Sequence, residues 1–345
     1  MTHALSFAQI RVIRGFFAFV LLPGLFADHG TSAEVGEQLE RIGDEIMVCG
    51  QLFHTTAPVV LWTDPGGYDA YRIERRFSPL DKSSWDETVK ELPEFAASGP
   101  ARYGIRLDGL DDAEVTEIRG GGWPLPLLQK VVDQLVLHYD VCPASQTCFK
   151  VLHDHRNLSV HFMVDVDGTI YQTLDLKERA RHATISNARS IGVEIANMGA
   201  YSVKNRADLE KWYEASDGGG IRLRPPRAYD EMGVRTKAFV GRPARQELIV
   251  GNIQGQELAQ YDFTPEQYDS LTKLTATLCR IFPKIKCDYP KDADGKLIPK
   301  KLEDAEWNAY QGVLGHYHVQ LNKTDPGPAF DWEKVIGGAQ ALIKE

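Results

Sequence analysis

The sequence predicts an α/β fold in which a central mixed β-sheet is flanked by helices, with a β-rich extension on its N-terminal side. Residues 158–172 alternate apolar and polar side chains up to an Asp-Gly pair and continue with β-branched and aromatic residues, as β-hairpins do. Residues 190–197 are a short apolar run typical of a buried strand. A helix with a strong start signal follows at residue 264. Strands and helices therefore alternate along the chain.

The composition is that of an ordinary globular protein. The chain has 345 residues, enough for one large domain or two modest ones. Its apolar content of 43% and charged content of 25% fall in the usual range for such proteins. The formal net charge of -9 argues against nucleic acid or an anionic membrane surface as partner, because both are polyanions.

Residues 1–33 have the pattern of an export signal. Two arginines precede an apolar run at residues 15–27, which then passes into small and polar residues. The run is too short to span a bilayer comfortably, and cleavage could follow Ala27 or Ala33. An uncleaved anchor or an amphipathic first helix is the alternative. We predict an exported protein, periplasmic or extracellular, with no membrane span in its mature form.

Residues 34–125 form an extension to which the sequence assigns no role. Strand-like pieces occur at residues 58–62 and 71–73, and a Gly-Gly-Gly run at residues 120–122 marks a plausible boundary. The extension could be a separate β-rich module or a segment packed on the larger domain, which we place at residues 126–345.

Histidines and a carboxylate occur at two distant places in that larger domain. His138 lies at the end of an apolar run, whereas His316 and Asp325 lie far downstream in a segment that Pro-Gly-Pro then rigidifies. Imidazole nitrogen and carboxylate oxygen are ligands that zinc accepts. One ligand at a strand end and two on a distant loop is a usual way to build a three-ligand site with an open fourth position. A surface loop with incidental polar residues is the alternative.

A helix is predicted from residue 264 to residue 282. Thr264 suits the N-cap, Pro265 the first turn and Gln267 the third helical position, and Pro283 ends the apolar pattern. Before it, residues 198–263 form an insertion rich in Gly, Pro and Arg. Segments this long are functional or disordered in most compact domains, so this one could form a wall of the active-site groove.

Four segments, taken in order, resemble the zinc-dependent N-acetylmuramoyl-L-alanine amidases, a family shared with phage lysozyme-amidases and peptidoglycan recognition proteins. They are the Leu-His-Tyr element at 137–139, the Ser-x-His-Phe … Asp-Gly-Thr-Ile hairpin at 159–170, the Ser-Ile-Gly-Val-Glu strand at 190–194 and the Lys-Thr-Asp-Pro-Gly-Pro-Ala-Phe-Asp-Trp segment at 323–332. The resemblance covers roughly residues 135–335. It implies a peptidoglycan or muropeptide substrate, cleaved between N-acetylmuramic acid and L-alanine of the stem peptide by a zinc-activated water.

The resemblance also implies roles for single residues. His138, His316 and Asp325 match the three zinc-ligand positions, and Glu194 matches a general base that takes a proton from water and returns it to the departing amine. Lys323 matches a lysine that stabilises the oxyanion. The alternatives are a glutamate salt-bridged within the sheet and a solvated lysine. His153, His155 and His318 remain as substitute ligands.

Two further positions complete the predicted site. His182, in an Arg-His-Ala segment, lies where many relatives have Trp-His-Ala lining the groove, so we assign it to substrate contact. Some relatives carry a catalytic tyrosine at the position of Val160, and valine has no acid-base chemistry, which favours Glu194 for that role. His161 and Phe162 are predicted to belong to the hairpin core.

The five cysteines fit an exported protein with one thiol left over. Some exported peptidoglycan recognition proteins have a disulfide at the place of Cys142 and Cys148, which implies the same bridge here. Cys279 and Cys287 could form a second bridge, leaving Cys49 unpaired. A zinc site made of these cysteines is disfavoured, since the sequence has no Cys-x-x-Cys pair.

Two other functions compete with hydrolysis. A recognition module would hold the peptidoglycan stem without cutting it, but such relatives lack a metal-binding residue at the position of Asp325. A zinc peptidase is poorly supported, because the sequence contains no His-Glu-x-x-His motif.

Overall fold

The structure is a computed structural model that describes residues 35–119, 122–216 and 218–344. Its contacts divide the chain into two units, Met1–Glu40 and Arg41–Glu345, and the description below concerns the second. The predicted export signal lies outside the described residues. Among the residues described, no helix combines the length and apolar character needed to cross a membrane.

The described part of the second unit contains fifteen strands and eight α-helices. The strands are β1 (Glu45–Val48), β2 (Gln51–His54), β3 (Val59–Leu61), β4 (Tyr103–Ile105), β5 (Gln134–Tyr139), β6 (Phe162–Val164), β7 (Ile170–Gln172), β8 (Glu178–Ala180), β9 (Ser190–Ile195), β10 (Tyr201–Ser202), β11 (Tyr213–Ala215), β12 (Ile221–Leu223), β13 (Ile249–Ile253), β14 (Gln256–Gln260) and β15 (Gly312–Gly315). The α-helices are α1 (Trp85–Glu91), α2 (Asp112–Arg119), α3 (Leu125–Val131), α4 (Ser145–Phe149), α5 (Arg206–Glu210), α6 (Pro265–Ile281), α7 (Asp304–Ala309) and α8 (Trp332–Lys344). The longest of them are α2, α6 and α8.

Six strands form the central sheet in the order β15-β5-β9-β6-β7-β3. The first four are parallel, β7 runs antiparallel to β6, and β3 is parallel to β7. The predicted hairpin is β6–β7, and Gly168 occupies its turn with φ of +80°, a conformation that favours glycine. The predicted mixed sheet is therefore confirmed.

The two faces of this sheet bury different sets of side chains. Leu135 and Leu137 of β5 pack in the large core shared with α3, α6 and α8, whereas Val136 belongs to a smaller core. Each fully buried aliphatic side chain of this kind contributes roughly 1.5–3 kcal/mol, which fixes the register of the strand. Because side chains alternate along a strand, His138 shares the face of Val136. Its partner in the register is Glu194 of β9, so both point away from the helices of the large core.

Helix α6 begins as its sequence predicts. The Thr264 hydroxyl accepts a hydrogen bond from the Gln267 amide at 3.1 Å, and the Gln267 side chain accepts one from the Thr264 amide at 2.9 Å. The Gln267 side chain also donates to the carbonyl of Ala196 at 2.7 Å, just beyond the end of β9. The cap thereby ties the start of α6 to the strand that carries Glu194.

Residues 41–119 and 122–125 pack on the rest of the unit rather than forming a separate module. Strand β3 is the edge strand of the central sheet, and β4 pairs with β8. The backbone of Met47 exchanges two hydrogen bonds with the side chain of Gln172 in β7, each of 2.7 Å. Residues 71–73 do not form the predicted strand, because Asp69 accepts a hydrogen bond from the Tyr71 amide and turns the chain.

Candidate active site

The carboxyl ends of three neighbouring parallel strands bring the predicted site residues together. His138 lies near the end of β5, Glu194 near the end of β9, and His316 directly after β15. Gly315 allows the loop carrying Asp325 to approach, since a Cβ at this position would lie 2.7 Å from the ring of Pro326. The crevice outside the carboxyl ends of parallel strands is a usual place for ligand sites.

His138, His316 and Asp325 converge on one point. His138 Nδ1 lies 2.8 Å from Asp325 Oδ2 and 3.0 Å from His316 Nδ1, and His316 Nδ1 lies 3.0 Å from the same carboxylate oxygen. All three residues are buried. Atoms spaced this way could each lie about 2 Å from a common zinc ion, and two nitrogens with one oxygen is a catalytic zinc donor set. The three residues therefore fit a metal in type and position.

Hydrogen bonds to the other ring nitrogens orient both histidines. Gln320 Oε1 accepts from His316 Nε2 at 2.6 Å, which leaves the Nδ1 lone pair of His316 facing Asp325. His138 Nε2 lies 3.0 Å from His182 Nδ1, and His182 Nε2 lies 3.2 Å from the Ser190 hydroxyl. Outer partners of this kind fix the tautomer and the ring orientation of metal ligands.

His182 therefore contacts a predicted ligand as well as lining the cavity. The ring packs against Gly192 of β9, where a Cβ would lie 2.5 Å from His182 Nδ1. Glycine is required here for close approach. Burial lowers the pKa of His182 well below its ordinary value, and the neighbouring His138 and His161 add to the effect, so the ring is neutral and can accept from His138.

Glu194 is a buried carboxylate with an oxygen left unpaired. Its Oε2 atom has no hydrogen-bond partner among the described residues, and Glu194 forms no ion pair with any of them. The alternative prediction, a glutamate salt-bridged within the sheet, is therefore not found in the described part of the chain. Burial raises the pKa of Glu194 well above its ordinary value, and the carboxylates of Asp140 and Asp325 raise it further. An unpaired buried carboxylate is costly unless a cation or a substrate group meets it.

The pKa of Asp325 is lowered, whereas that of Glu194 is raised, because the two ligand histidines lie against Asp325. Burial alone would raise the pKa of this carboxyl, but His316 and His138 outweigh burial and lower it. For His138, burial and then His316 lower the pKa to about 4. At neutral pH Asp325 is thus an ionised carboxylate and His138 a neutral imidazole, the states in which these groups bind metal.

These residues line a cavity of about 270 Å³. Three cationic side chains, Lys323, Arg156 and Arg181, also line the cavity. None of the three forms an ion pair with a described residue. None of the described residues of the 198–263 insertion lines this cavity, so the predicted wall is not formed there. The insertion instead builds the sheet β10-β14-β13 and the hairpin β11–β12.

The substitute ligands have other partners. His153 Nδ1 bonds Asp154 at 2.8 Å and its Nε2 bonds the Arg72 carbonyl at 2.9 Å. His318 accepts from the Gly315 amide at 2.9 Å and bonds the Ile298 carbonyl at 2.8 Å. His155 is exposed. None of these histidines belongs to the converging set, and His161 and Phe162 are buried as predicted.

The predicted Cys142–Cys148 bridge is not formed in the structure, where both residues are free thiols. Burial, and then the neighbouring Cys142, raise the pKa of the Cys148 thiol, while the neighbouring Cys287, and then burial, raise that of Cys279. The bridge therefore stays a prediction about the oxidised protein.

The sequence analysis did not single out Gln320 or Ser190. Gln320 follows His316 by four residues, a spacing at which side chains meet on a helical turn, so its role had a local signal. Ser190 had none, because its contact to His182 depends on the tertiary fold.

The sequence pattern of the N-acetylmuramoyl-L-alanine amidase family matches residues 128–328. No curated protein matches the chain significantly. Similar solved structures include a selenomethionine derivative of AmpD (17% identity, 69% of this chain and 89% of that one, TM-score 0.31). Others are AmpDh3 of Pseudomonas aeruginosa with an anhydromuramic pentapeptide (18%, 61% and 60%, 0.34) and E. coli AmiD with its anhydro-N-acetylmuramic acid tripeptide substrate (18%, 69% and 65%, 0.32).

These TM-scores are too low to support any inference, so the assignment depends on the family match. That match spans more than half of the chain and includes the converging triad, Glu194 and Lys323. The chain belongs to the N-acetylmuramoyl-L-alanine amidase family.

Proposed function

We propose that the protein is a zinc-dependent peptidoglycan amidase that hydrolyses the bond between the lactyl group of N-acetylmuramic acid and L-alanine of the stem peptide. One observation carries the proposal: His138 Nδ1, His316 Nδ1 and Asp325 Oδ2 converge within 3.0 Å, beside the unpaired oxygen of Glu194. In a family of amidases, this is the arrangement that the reaction needs.

His138, His316 and Asp325 would hold the zinc ion. Bound zinc would supply a Lewis acid that polarises the substrate carbonyl and lowers the pKa of a water molecule. The hydrogen bonds that His316 donates to Gln320 and His138 donates to His182 keep both imidazoles turned towards the third ligand.

Glu194 serves as the general base. Its free oxygen accepts a proton from the attacking water and then donates it to the amine of L-alanine as the amide bond breaks. A nearby divalent cation would lower the pKa that burial has raised, so the carboxylate is ionised when it is needed.

Lys323 stabilises the negative charge that develops on the carbonyl oxygen. It lines the same cavity and its ammonium group is not neutralised by an ion pair with a described residue. A cation held ready in this way acts without first having to break another contact.

The cavity suits an anionic substrate. Arg156 and Arg181 line it, and neither forms an ion pair with a described residue. Stem peptides carry carboxylates, which guanidinium groups recognise. A recognition module without hydrolytic activity is the second candidate, but it would not need the third ligand, Asp325.

Metal analysis together with product mass tests this function. The purified protein should contain about one zinc per chain and should split a muropeptide into the stem peptide with a free L-alanine amine and the saccharide with a free lactyl carboxylate. Binding of muropeptide without cleavage by zinc-loaded protein would favour the recognition module. The Glu194→Gln variant is the matched control, since it should keep the zinc.

We also propose that the protein is exported and that Cys142 and Cys148 form a disulfide in the oxidising compartment. The support is the sequence pattern of residues 1–33 and the interaction of the two thiols. Intact-mass and peptide mapping of natively expressed protein should find a shortened N-terminus and this bridge. An intact N-terminus with five free thiols would contradict both.

A further inference from the structure

A second, larger groove lies next to the cavity of the triad. It has a volume of about 850 Å³, and its wall includes Trp307 of α7, Ile185 and Leu321. Ile185 and Leu321 are large apolar residues that are 51% and 72% exposed, so the groove presents apolar carbon to a ligand. We call it the Trp307 groove.

The Trp307 groove continues the cavity of the triad. Asn322 lines both, and Gln320 lines the groove while its side chain holds His316 at 2.6 Å. Thr184 and Ile185 of the groove follow His182 of the cavity by two and three residues. The two cavities therefore meet at Asn322, so a ligand that is longer than the triad cavity and passes Asn322 enters the groove.

Trp307 is held in place by the loop before β9. Its indole nitrogen donates to the Ser186 hydroxyl at 2.9 Å, and the guanidinium of Arg189 lies 5.6 Å from the centre of the ring. A fixed aromatic ring binds with little loss of side-chain entropy.

The charge distribution decides which part of a muropeptide fits the groove. Among the described residues that line it, Lys301 and Asp304 are the charged ones, and they bond each other at 2.7 Å. The groove thus offers no free cation to the carboxylates of a stem peptide, whereas Arg156 and Arg181 line the triad cavity and not the groove. What it offers is an aromatic ring, aliphatic carbons and the amides of Asn308, Gln320 and Asn322.

These groups suit a saccharide. The face of a pyranose ring carries C–H groups that pack on an aromatic surface, and its hydroxyl and N-acetyl groups bond amide side chains. The bond to be cut joins a sugar to a peptide, so the two parts must leave the triad by different routes. The peptide should lie along Arg156 and Arg181 in the triad cavity, so the Trp307 groove is available to the sugar.

We propose that the Trp307 groove is a glycan subsite in which Trp307 and Leu321 hold a sugar ring of the substrate. This inference rests on the proposed amidase function. It makes the glycan, and not the stem peptide alone, a determinant of substrate choice.

Paired substrates test the subsite. One is a disaccharide muropeptide, and the other carries the same stem peptide on D-lactic acid alone, which keeps the scissile amide and removes the sugar. Trp307→Ala should raise KM for the disaccharide substrate about tenfold, the usual order for truncating an aromatic anchor, and leave KM for the sugar-free substrate unchanged. Equal changes with both substrates, or none with either, would overturn the proposal.

Further variants separate stacking from folding. Trp307→Phe keeps an aromatic face and loses the bond to Ser186, so it should retain most of the sugar dependence. Leu321→Ser should show a smaller loss confined to the disaccharide substrate, and Leu80→Ser is its control, because Leu80 is also exposed (90%) and lies outside the groove. A loss in Trp307→Phe as large as in Trp307→Ala, with equal effects of the two leucine variants, would assign Trp307 a structural role only.

Failure of the amidase function is distinguishable from failure of the subsite. If the wild-type protein cleaves neither substrate, a peptide-free oligosaccharide of alternating N-acetylglucosamine and N-acetylmuramic acid is titrated calorimetrically into wild-type and Trp307→Ala protein. Binding that the variant weakens about tenfold would support the subsite on its own. Absence of binding to the wild type would reject it.

Discussion

Two groups of buried polar side chains lie within the same unit, and they differ in what their polar atoms face. The open cluster consists of the triad with His182 and Glu194, and it borders a cavity. The closed cluster consists of Arg102, Arg106, His153, Asp154 and His161, all of them buried. Both contain histidine and carboxylate, so residue type does not distinguish them.

In the closed cluster the polar groups are matched within the protein. Arg102 donates to the carbonyls of residues 72, 73, 100 and 153, and Arg106 to those of residues 176, 187, 188 and 190. His161 accepts from the Gly192 amide at 3.0 Å and bonds the Glu178 carbonyl at 2.9 Å. Bonds of this kind tie residues 41–125 to the sheet and leave no capacity for a ligand.

In the open cluster the outer atoms are matched and the inner ones are not. Gln320 and His182 satisfy the far nitrogens of the two ligand histidines, while both Nδ1 atoms crowd one carboxylate oxygen and Glu194 Oε2 has no partner within the described chain. A buried histidine whose polar neighbours are not all matched thus indicates a functional site. A buried histidine whose polar neighbours are all matched has a structural role.

The largest expected effect comes from removing a triad histidine. His316→Ala or His138→Ala should abolish zinc binding and, with it, activity, because two ligands do not retain a catalytic metal. Metal analysis and muropeptide hydrolysis measure both. His153→Ala, in the closed cluster, is the control and should cost stability while keeping the zinc. Full zinc content in both triad variants would show that the ligands lie elsewhere.

Removing the base should leave the metal in place. Glu194→Gln keeps the shape and loses the proton acceptor, so turnover should fall by roughly 10²–10⁴-fold at unchanged zinc content. Glu178→Gln is the control, since Glu178 is another glutamate on a strand, half-buried, and it borders the closed cluster. Near-normal turnover in Glu194→Gln would make this residue structural.

A smaller loss is expected when the outer hydrogen bond to a ligand is removed. His182→Ala leaves His138 Nε2 without its partner at 3.0 Å, so zinc affinity should fall roughly 10–100-fold. Competition with a chelator measures this affinity. If His182 only contacts substrate, the variant will raise KM at unchanged zinc affinity instead.

The smallest effect on activity is expected in the closed cluster, where the predicted change is a pH dependence of stability. Burial, and then Arg106, lower the pKa of His161 to about 3 from an ordinary value of 6.5. Between these values the unfolded chain binds a proton that the folded protein does not, so the free energy of unfolding falls as pH drops, by at most about 1.4 kcal/mol per pH unit. Urea unfolding at several pH values between 4 and 7 should show a shallower decline in His161→Gln.

His54 gives the opposite sign and serves as the control. It is exposed, and its hydrogen bond to Asp44 raises its pKa, so its contribution is present at low pH and is lost as pH rises through the raised value. His54→Gln should therefore not flatten the acid decline. Equal slopes in wild type and His161→Gln would show that His161 is not held neutral by the fold.

Local patterns in the sequence were sufficient to predict the strands and the helix that position the site. The alternation in residues 158–172 is the hairpin β6–β7, the apolar run with one carboxylate is β9, and Thr264 and Gln267 cap α6. Each of these signals depends on neighbours within a few residues, which is why it can be read from one sequence. The ordered motifs were likewise sufficient for the family, as the match over residues 128–328 confirms.

Only the tertiary structure decided which polar groups are left without partners. The ring of His153 bonds a backbone carbonyl 81 positions away and the ring of His138 bonds another site histidine 44 positions away, and no local pattern reports these contacts. The same holds for β3, which joins the central sheet from a segment without an assigned role, and for Trp307, which meets Ser186 across 121 positions. Local propensity determines the elements, but the pairing of buried polar atoms is a property of the packed chain, and that pairing separates a site from a scaffold.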